Sequence, residues 1–111
     1  MKFSIITVVK NEISKIGLTI KSLKNQSFKD YEHIIFDGES TDGTSELLKK
    51  ISNKKTLYFR EKDKSVYDAL NKSFKKAKGE YFIVLHSGDF FYSKHSLSIL
   101  SKSIDRNKNY D

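Results

Sequence analysis

Acidic, amide and imidazole side chains follow short apolar runs at three places in this sequence. They are the segment 10–12, the segment that begins at Asp37, and the segment 86–89. Carboxylate oxygens are the ligands that Mg²⁺ prefers in proteins, and a neighbouring glycine lets the backbone approach a phosphate closely. These residue types therefore suggest the binding of an anionic ligand, with a divalent cation as a candidate cofactor.

Each candidate also has a plain structural role. Asp37 either contacts a ligand or forms a turn in which its carboxylate satisfies loop amides, and Asp89 is either a ligand-binding carboxylate or an ordinary loop acid. Asp42 stands where a helix is expected to begin, so we expect it to cap that helix. His33 and His95 have no partner at metal-binding spacing, and we expect them to be surface or half-buried groups.

The hydrophobic pattern predicts strands that alternate with helices. Runs rich in branched and aromatic residues predict four strands, namely Phe3–Val9, Ile34–Phe36, Thr56–Arg60 and Glu80–Leu85. Apolar residues at helical spacing predict the buried stripes Ile13, Ile16, Ile20 and Leu23; Leu47, Leu48 and Ile51; Val66, Leu70, Phe74 and Ala77; and Leu97, Leu100 and Ile104. The polar segment 105–111 is expected to trail off. This alternation predicts a Rossmann-like α/β domain, with a parallel sheet flanked by helices.

Polar residues mark the expected helix ends. Asn11 is placed to cap the first helix, with Glu12 in its positive first turn. Ser65 and Asp68 have the spacing of a capping box, and Gly79 stands where a helix stop is expected.

All three polar segments follow predicted strands. Because the carboxyl ends of parallel strands meet at one edge of a sheet, we expect these segments to gather on one rim, where open α/β sheets bind ligands. Neither a G-x-G-x-x-G after the first strand nor a G-x-x-x-x-G-K-[ST] is present, so the usual dinucleotide and P-loop cradles are excluded.

Composition narrows the possible classes of protein. The chain has 111 residues, enough for one core, and no cysteine, which excludes disulfides, thiolate nucleophiles and cysteine metal sites. The formal net charge is +7, but almost all the basic residues are lysines, which favours a solvated basic surface over a nucleic-acid reader. Such a surface also suits anionic substrates or acidic lipid headgroups. No run is long enough to cross a bilayer and no signal peptide is evident, so we expect a cytoplasmic protein.

The stretch from Ser22 to Thr44 resembles the signature of family 2 glycosyltransferases of the GT-A fold. Ile6–Glu12 resembles the opening strand of that family and its Asn-Glu tip. Glu61–Gly79, followed by a strand and an acidic tip, resembles the family's third helix and metal motif. The run Asp63–Lys72 is similar to a branch that builds bacterial surface polysaccharides, and the resemblance covers essentially the whole chain.

The resemblance implies transfer of a sugar from a nucleoside diphosphate sugar, commonly a UDP-sugar, to a hydroxyl of a glycan or lipid-linked acceptor. The positions that it assigns to nucleotide-sugar binding are Val9, Lys10, Asn11, Glu12, Asp37, Lys64 and Asp68. Among these, Asp37 would accept a hydrogen bond from the imide nitrogen of the base. Asp89 would hold Mg²⁺ or Mn²⁺ against the diphosphate. His86 and Gly88 depart from the pattern, because both positions are often aspartate in the family, and His86 is an alternative metal ligand.

In the family, the acceptor site and the catalytic base lie beyond the metal motif, near which this sequence ends. We therefore expect residues 1–111 to be a single nucleotide-sugar-binding domain, truncated before the acceptor-binding half, that binds donor without transferring it. Association with the inner face of a membrane and self-association both remain open. Two alternatives stay beside this hypothesis: a non-catalytic binding or regulatory domain on the same fold, and a basic nucleic-acid-binding protein.

Overall fold

The computed structural model describes residues 1–107 and shows four strands that alternate with four helices. The elements are β1 (Phe3–Val9), α1 (Ile13–Lys24), β2 (Tyr31–Asp37), α2 (Thr44–Ile51), β3 (Thr56–Arg60), α3 (Val66–Lys76), β4 (Tyr81–Val84) and α4 (Ser96–Asn107). All strand pairs are parallel, in the order β3-β2-β1-β4. The predicted α/β fold is thus confirmed. Helix α4 continues through Asp105 to Asn107, so the prediction that the chain trails off from Asp105 is wrong for residues 105–107; the rest of that prediction falls on residues 108–111, which lie outside the described part of the chain.

The register of the sheet brings the ends of β1, β2 and β3 level with one another, whereas β4 ends at Val84, which lies opposite Ile6 of β1. β1 pairs with β2 along its whole length, from Phe3 opposite Tyr31 to Val9 opposite Asp37, and Asp37 in turn lies opposite Arg60 of β3. The connection through α3 then crosses back over the sheet to β4, on the other side of β1. The order of the strands therefore reverses between β1 and β4, which is where open α/β sheets form a ligand crevice.

The two central strands are buried on both faces, as their continuous apolar sequence predicts. One cluster of the core contains Val9, Ile16, Ile20, Ile35 and Leu48, and a second contains Phe3, Ile5, Leu23, Tyr31, Leu85 and Leu97. Two residues of the predicted helical stripes lie outside the core, because Ile13 is 42% exposed and Leu100 is 40% exposed.

The stripe predicted for α3 is wrong. Val66 is 57% exposed and Phe74 is 36% exposed, whereas the residues of α3 that face the sheet are Ala69 and Ser73. Small residues one turn apart let the backbone of α3 approach β1 and β2 closely, which places the larger apolar side chains of the helix at its flanks. The pattern of apolar residues alone cannot show this, because it ignores how close the helix lies to the sheet.

Gly79 does not end α3 either. The helix ends at Lys76, followed by Ala77 in an extended conformation. A Cβ built on Gly79 would lie 2.6 Å from the backbone nitrogen of Ser4. The N–H of Gly79 donates to the Ser4 hydroxyl at 2.8 Å. Glycine is required here because the chain passes against β1 before it enters β4. Within residues 1–107, no helix is both long and apolar enough to cross a membrane.

Candidate functional site

The loops that follow β1, β2 and β3 meet on one rim at the carboxyl ends of the strands. A Cβ built on Gly38 would lie 2.6 Å from the Oδ2 atom of Asp63 and 3.6 Å from the Cδ atom of Lys10. Side chains from the two neighbouring loops therefore close over the loop that follows β2. The expected convergence is confirmed for segment 10–12 and the segment that begins at Asp37, and Asp63 of the loop after β3 joins them. For segment 86–89, which follows β4, convergence with these loops stays a prediction.

Val9 and Asn11 have different positions in this rim. The side chain of Val9 is only 2% exposed and belongs to the core, while its carbonyl accepts from Gly38 N–H at 2.9 Å. Asn11 has a left-handed backbone, with φ of 53°, and its side-chain Oδ1 accepts from Thr41 N–H at 2.7 Å. Its own N–H donates to the Ser40 hydroxyl at 2.9 Å. Asn11 thus ties the β1 loop to the β2 loop, and the prediction that it caps α1 is wrong.

Asp42 performs the capping of two helices. Its carboxylate accepts from Thr44 N–H at 3.0 Å at the start of α2 and from Ile13 N–H at 3.2 Å at the start of α1. Gly43, with φ of 103°, is the residue that immediately precedes α2, and Glu12 precedes α1 instead of lying in its first turn. The hydrogen bond from the Thr44 hydroxyl, followed by those from the backbone, holds the pKa of Asp42 below its ordinary value. Asp42 therefore caps as predicted, but from one residue earlier, and it aligns both helices at the rim.

Asp37 lies beneath the rim and is fully buried. Its Oδ1 accepts from the backbone N–H of Ser40 at 2.9 Å and from the Ser40 hydroxyl at 2.6 Å. Its Oδ2 accepts from the hydroxyl of Tyr58 at 2.6 Å and from that of Ser45. Burial raises the pKa of Asp37, but these hydrogen bonds outweigh it, and the net shift is downward. The carboxylate thus has the turn-forming role that was one of its two interpretations, and its contact with a base stays a prediction.

The segment 86–89 after β4 is a tight turn that presents an acidic side chain. Asp89 N–H donates to the carbonyl of His86 at 2.9 Å, and Gly88 between them has a φ of 95°. That conformation favours glycine. The side chains of His86 and Asp89 are both exposed. The Oγ of Ser87 is buried and has no hydrogen-bond partner in the described part of the chain.

This donor set suits a hard divalent cation that is shared with a ligand. Among residues 1–107 there is no group of three or more His, Cys, Asp or Glu side chains that could hold a metal alone. Mg²⁺ is usually bound through one or two carboxylates, with substrate phosphates and water as its remaining ligands. Asp89 can supply one carboxylate, and His86 and the unpartnered Ser87 hydroxyl stand in the same turn. The residues present therefore fit a cation that binds together with a diphosphate.

Lys64 and Asp68 lie at the start of α3. The Ser65 hydroxyl accepts from Asp68 N–H at 3.2 Å, as the predicted capping box requires. The carboxylate of Asp68 accepts instead from Lys64 N–H at 3.1 Å and pairs with Lys72 Nζ at 3.2 Å. The Lys64 N–H contributes most, and Lys72 next, to lowering the pKa of Asp68. Lys64 is exposed, and the ligand contacts of both residues stay predictions.

His33 differs from its prediction, because it is only 2% exposed. Burial lowers its pKa to about 3, so the imidazole is neutral. The Thr7 hydroxyl uses its single proton to donate to the carbonyl of Leu85 at 2.7 Å, so His33 Nε2–H must donate to the Thr7 oxygen at 2.8 Å. The signal that sequence reasoning missed is position: His33 lies two residues before Ile35, on the same face of a strand whose two faces are both covered.

Comparisons with known proteins agree with this architecture. Residues 4–110 match the family model described as "Glycosyl transferase family 2". A dolichyl N-acetyl-alpha-D-glucosaminyl phosphate 3-beta-D-2,3-diacetamido-2,3-dideoxy-beta-D-glucuronosyltransferase of Methanococcus voltae is 38% identical over 88 residues, which are 73% of this chain and 27% of that protein.

Solved structures show the same likeness. S. aureus TarS 1-349 in complex with UDP-GlcNAc superimposes with a TM-score of 0.88 at 28% identity, over 96% of this chain and 32% of that one. The mannosyltransferase PcManGT from Pyrobaculum calidifontis, in complex with GDP-Man and Mn²⁺, shares the fold with a TM-score of 0.80 at 19% identity, over 87% of this chain and 30% of that one. The chain thus spans less than a third of the length of each of these three proteins. Because the family model covers nearly all of its residues, the chain belongs to glycosyl transferase family 2.

Proposed function

We propose that this chain is the donor-binding part of a glycosyltransferase. It binds a nucleoside diphosphate sugar, most simply a UDP-sugar, for transfer to a glycan or lipid-linked acceptor in the synthesis of a cell-surface polysaccharide. The observation that carries this proposal is the convergence of the loops after β1, β2 and β3 on one rim, in a fold that S. aureus TarS shares and that was solved there with UDP-GlcNAc.

The base of the nucleotide would lie over the β1 and β2 loops. Lys10, Asn11 and Glu12 provide the wall of this part of the rim, and the Asn11 contacts to the β2 loop fix its shape. Asp37 lies directly below. Its carboxylate has four donors within the protein, so it would accept from a base imide only if the hydroxyl of Tyr58 or Ser45 rotated away. Because Asp37 is fully buried, the residues that cover it would also have to move aside before a base could reach the carboxylate.

The diphosphate would lie towards the turn after β4. Asp89 and His86 are the residues that would hold Mg²⁺ or Mn²⁺, and Gly88 lets the backbone come close to phosphate oxygens. When bound, the cation would offset the negative charge that develops on the departing diphosphate. Lys64, at the exposed start of α3, would add a positive charge on the nucleotide or sugar side.

The distribution of charge supports a cytoplasmic protein that contacts the inner face of a membrane. The last turns of α1, α2 and α3 carry Lys21, Lys24, Lys49, Lys50, Lys75 and Lys76. Because these helices run antiparallel to the strands, their ends lie at the edge of the sheet opposite the rim. A basic edge attracts acidic headgroups, and docking through it would leave the rim open to nucleotide sugars.

Calorimetric titration with UDP, with and without Mn²⁺, tests the donor site. We expect saturable binding of UDP that Mn²⁺ strengthens, with GDP as the matched control for the base and uridine as the control for the diphosphate. If neither UDP nor GDP binds under either condition, the proposal is wrong; binding of GDP without UDP would overturn the choice of a UDP-sugar. A nucleic-acid-binding protein would instead show affinity for DNA or RNA that falls steeply with salt.

Measuring UDP release from UDP-sugars tests whether these residues also carry out transfer. We expect donor binding without acceptor-dependent turnover, because the described rim residues are assigned to the donor and the cation and none of them to deprotonating an acceptor. General-base assistance is worth about 10²- to 10⁴-fold in rate, and acceptor positioning is worth more. Robust turnover by these 111 residues would overturn the donor-binding-part proposal and would require a base among Asp63, Asp68 and His86.

A further inference from the structure

Helix α1 carries a polar stripe that the hydrophobic pattern does not explain. Thr19 and Ser22 of α1 and Gln26, two residues past the end of α1 at Lys24, follow one another at spacings of three and four residues, so they form one row along the helix and just beyond its carboxyl end. Thr19 is fully buried and Gln26 is 1% exposed. Buried polar side chains in such a row need partners, and these residues find them in one continuous segment of backbone.

That segment is the acidic turn and the chain that follows it. Gly88 N–H donates to the Thr19 hydroxyl oxygen at 2.8 Å, and the Thr19 hydroxyl donates to the carbonyl of Asp89 at 2.8 Å. One turn of helix further on, the Ser22 hydroxyl accepts from Phe91 N–H at 2.7 Å. Thr19 is therefore both acceptor and donor to adjacent residues of the turn.

Gln26 fixes the far end of the same segment. Its Nε2 donates to the carbonyl of Ser93 at 2.8 Å, and its Oε1 accepts from Leu97 N–H at 3.1 Å at the start of α4. The stripe thus binds the chain from residue 88 to residue 97 along one side of α1.

The entrance of the turn is held from the sheet. Leu85 N–H donates to the carbonyl of Ile6 at 2.9 Å, and the Leu85 carbonyl accepts from the Thr7 hydroxyl at 2.7 Å. His33 in turn supports Thr7. The backbone of the turn is therefore fixed on both sides, whereas the Asp89 side chain is exposed and the Ser87 hydroxyl has no partner among the described residues.

We infer that Thr19 is a positioning residue, which holds the backbone on either side of the Gly88–Asp89 peptide so that the Asp89 carboxylate points at the cation-diphosphate site. This inference rests on the proposed function. A carboxylate on an unclamped loop must lose backbone freedom when it binds a cation, whereas a clamped one has already lost it. Because the Thr19 hydroxyl is buried, water is poorly placed to replace it when it is removed.

The test compares Thr19→Val, which keeps the shape but lacks the hydroxyl, with Thr19→Ser, which keeps the hydroxyl. Ser73→Ala is the matched control, because Ser73 is also a fully buried helical hydroxyl but bonds only within its own helix, to the Ala69 carbonyl at 2.8 Å. Calorimetry measures the affinity for UDP with and without Mn²⁺ and the affinity for uridine. Hydrogen exchange measures the protection of the Gly88 amide without any ligand.

Removing a group that orients a metal ligand lowers metal affinity about 10- to 100-fold. We therefore expect Thr19→Val to lower the Mn²⁺ enhancement of UDP affinity about tenfold or more, to leave uridine affinity unchanged, and to speed exchange at Gly88. Thr19→Ser should restore most of the enhancement, and Ser73→Ala should retain all of it.

The outcomes separate the two proposals. If the parent protein shows the Mn²⁺ enhancement and Thr19→Val retains it in full, the positioning role is wrong and the donor site stands. If Thr19→Val weakens UDP and uridine equally, Thr19 acts on the whole fold, and the positioning role is again wrong. If the parent shows no Mn²⁺ enhancement, the proposed cation site fails, and the inference fails with it.

Discussion

Replacing Asp37 with asparagine tests how the rim is held together. The Asp37 carboxylate is fully buried and accepts from the backbone and hydroxyl of Ser40 and from the hydroxyls of Ser45 and Tyr58. An asparagine of the same shape keeps one acceptor oxygen, but its NH₂ group would face two hydroxyls that must turn from donors into acceptors. The substitution therefore removes the charge from every one of these hydrogen bonds without creating a cavity.

The expected loss follows from the strength of such bonds. A hydrogen bond to a charged group contributes about 1.5–3 kcal/mol, against about 0.5–1.5 kcal/mol for a neutral pair. Weakening the two bonds to Oδ2 by about 1 kcal/mol each, and those to Oδ1 by less, predicts that Asp37→Asn lowers the free energy of unfolding by about 2–3 kcal/mol. We also expect UDP affinity to fall by about 1–3 kcal/mol, because an amide at this position can mispair with the base.

The effect should depend on pH in a defined direction. Because its hydrogen bonds hold the pKa of Asp37 below its ordinary value of 3.8, the folded state retains the charged form to lower pH than the unfolded state does. This contribution to stability is present above the unfolded pKa and is lost as the pH falls through the folded pKa. The difference in stability between the parent and Asp37→Asn should therefore be largest near neutral pH and shrink below about pH 4.

Urea unfolding followed by circular dichroism measures the stability, and calorimetry measures UDP binding. Asp30→Asn is the control, because its side chain is 61% exposed and a substitution there should change stability by less than about 0.5 kcal/mol. Equal unfolding midpoints for the parent and Asp37→Asn at neutral pH would refute the account of the rim. Equal UDP affinities would remove Asp37 from the nucleotide site.

Three further substitutions, one of them paired with a control, test separate parts of the structure. Asp89→Ala should abolish the Mn²⁺ enhancement of UDP affinity in calorimetry and leave uridine binding nearly unchanged; full enhancement in this variant would make His86 the metal ligand. Gly79→Ala should destabilise the fold by about 1–3 kcal/mol in urea, because its Cβ would lie 2.6 Å from backbone of β1, whereas Gly17→Ala, with open space around it, should stabilise α1 by about 0.5–1 kcal/mol. If both glycine variants have the same stability, the close approach is not the reason for glycine at position 79. Because burial lowers the pKa of His33 to about 3, the unfolded state binds a proton that the folded state does not, so stability should fall as the pH drops from about 6.5 to 4. His33→Gln should flatten this part of the urea-midpoint profile, and an unchanged slope would contradict the buried neutral imidazole.

The strands show how much of the fold the sequence could predict. The bounds of β1 and β3 agree with the prediction, because runs of branched and aromatic residues flanked by polar segments have one obvious interpretation. The α3 stripe failed, because Val66 and Phe74 have the right spacing for a core, yet Ala69 and Ser73 lie against the sheet. The spacing of residues shows which of them share a side of a helix, but the distance between the helix and the sheet decides which side is packed against the sheet.

The candidate site also has a part that the sequence predicted and a part that it could not show. The sequence predicted Asp37 at the end of one strand and Asp89 after another, and the structure has Asp37 as the last residue of β2 and Asp89 in the turn after β4. That the two carboxylates serve one ligand stays a prediction. The sequence could not show that the Asp37 carboxylate is saturated by Ser45 and Tyr58, because those donors come from other elements.

The sequence by itself determined the order of the elements, the parallel sheet and the family, because these follow from local pattern and from motifs of adjacent residues. Only the tertiary structure decided which polar groups are buried and what they bind. Thr19 and His33 resemble ordinary helix and strand residues in the sequence, yet both support the acidic turn. Thr19 contacts Asp89, which is 70 residues away in the chain. His33 acts through Thr7 on Leu85, which is 52 residues from His33. Such pairings depend on the register of the sheet and on the packing of α1, and no local sequence pattern predicts either of them.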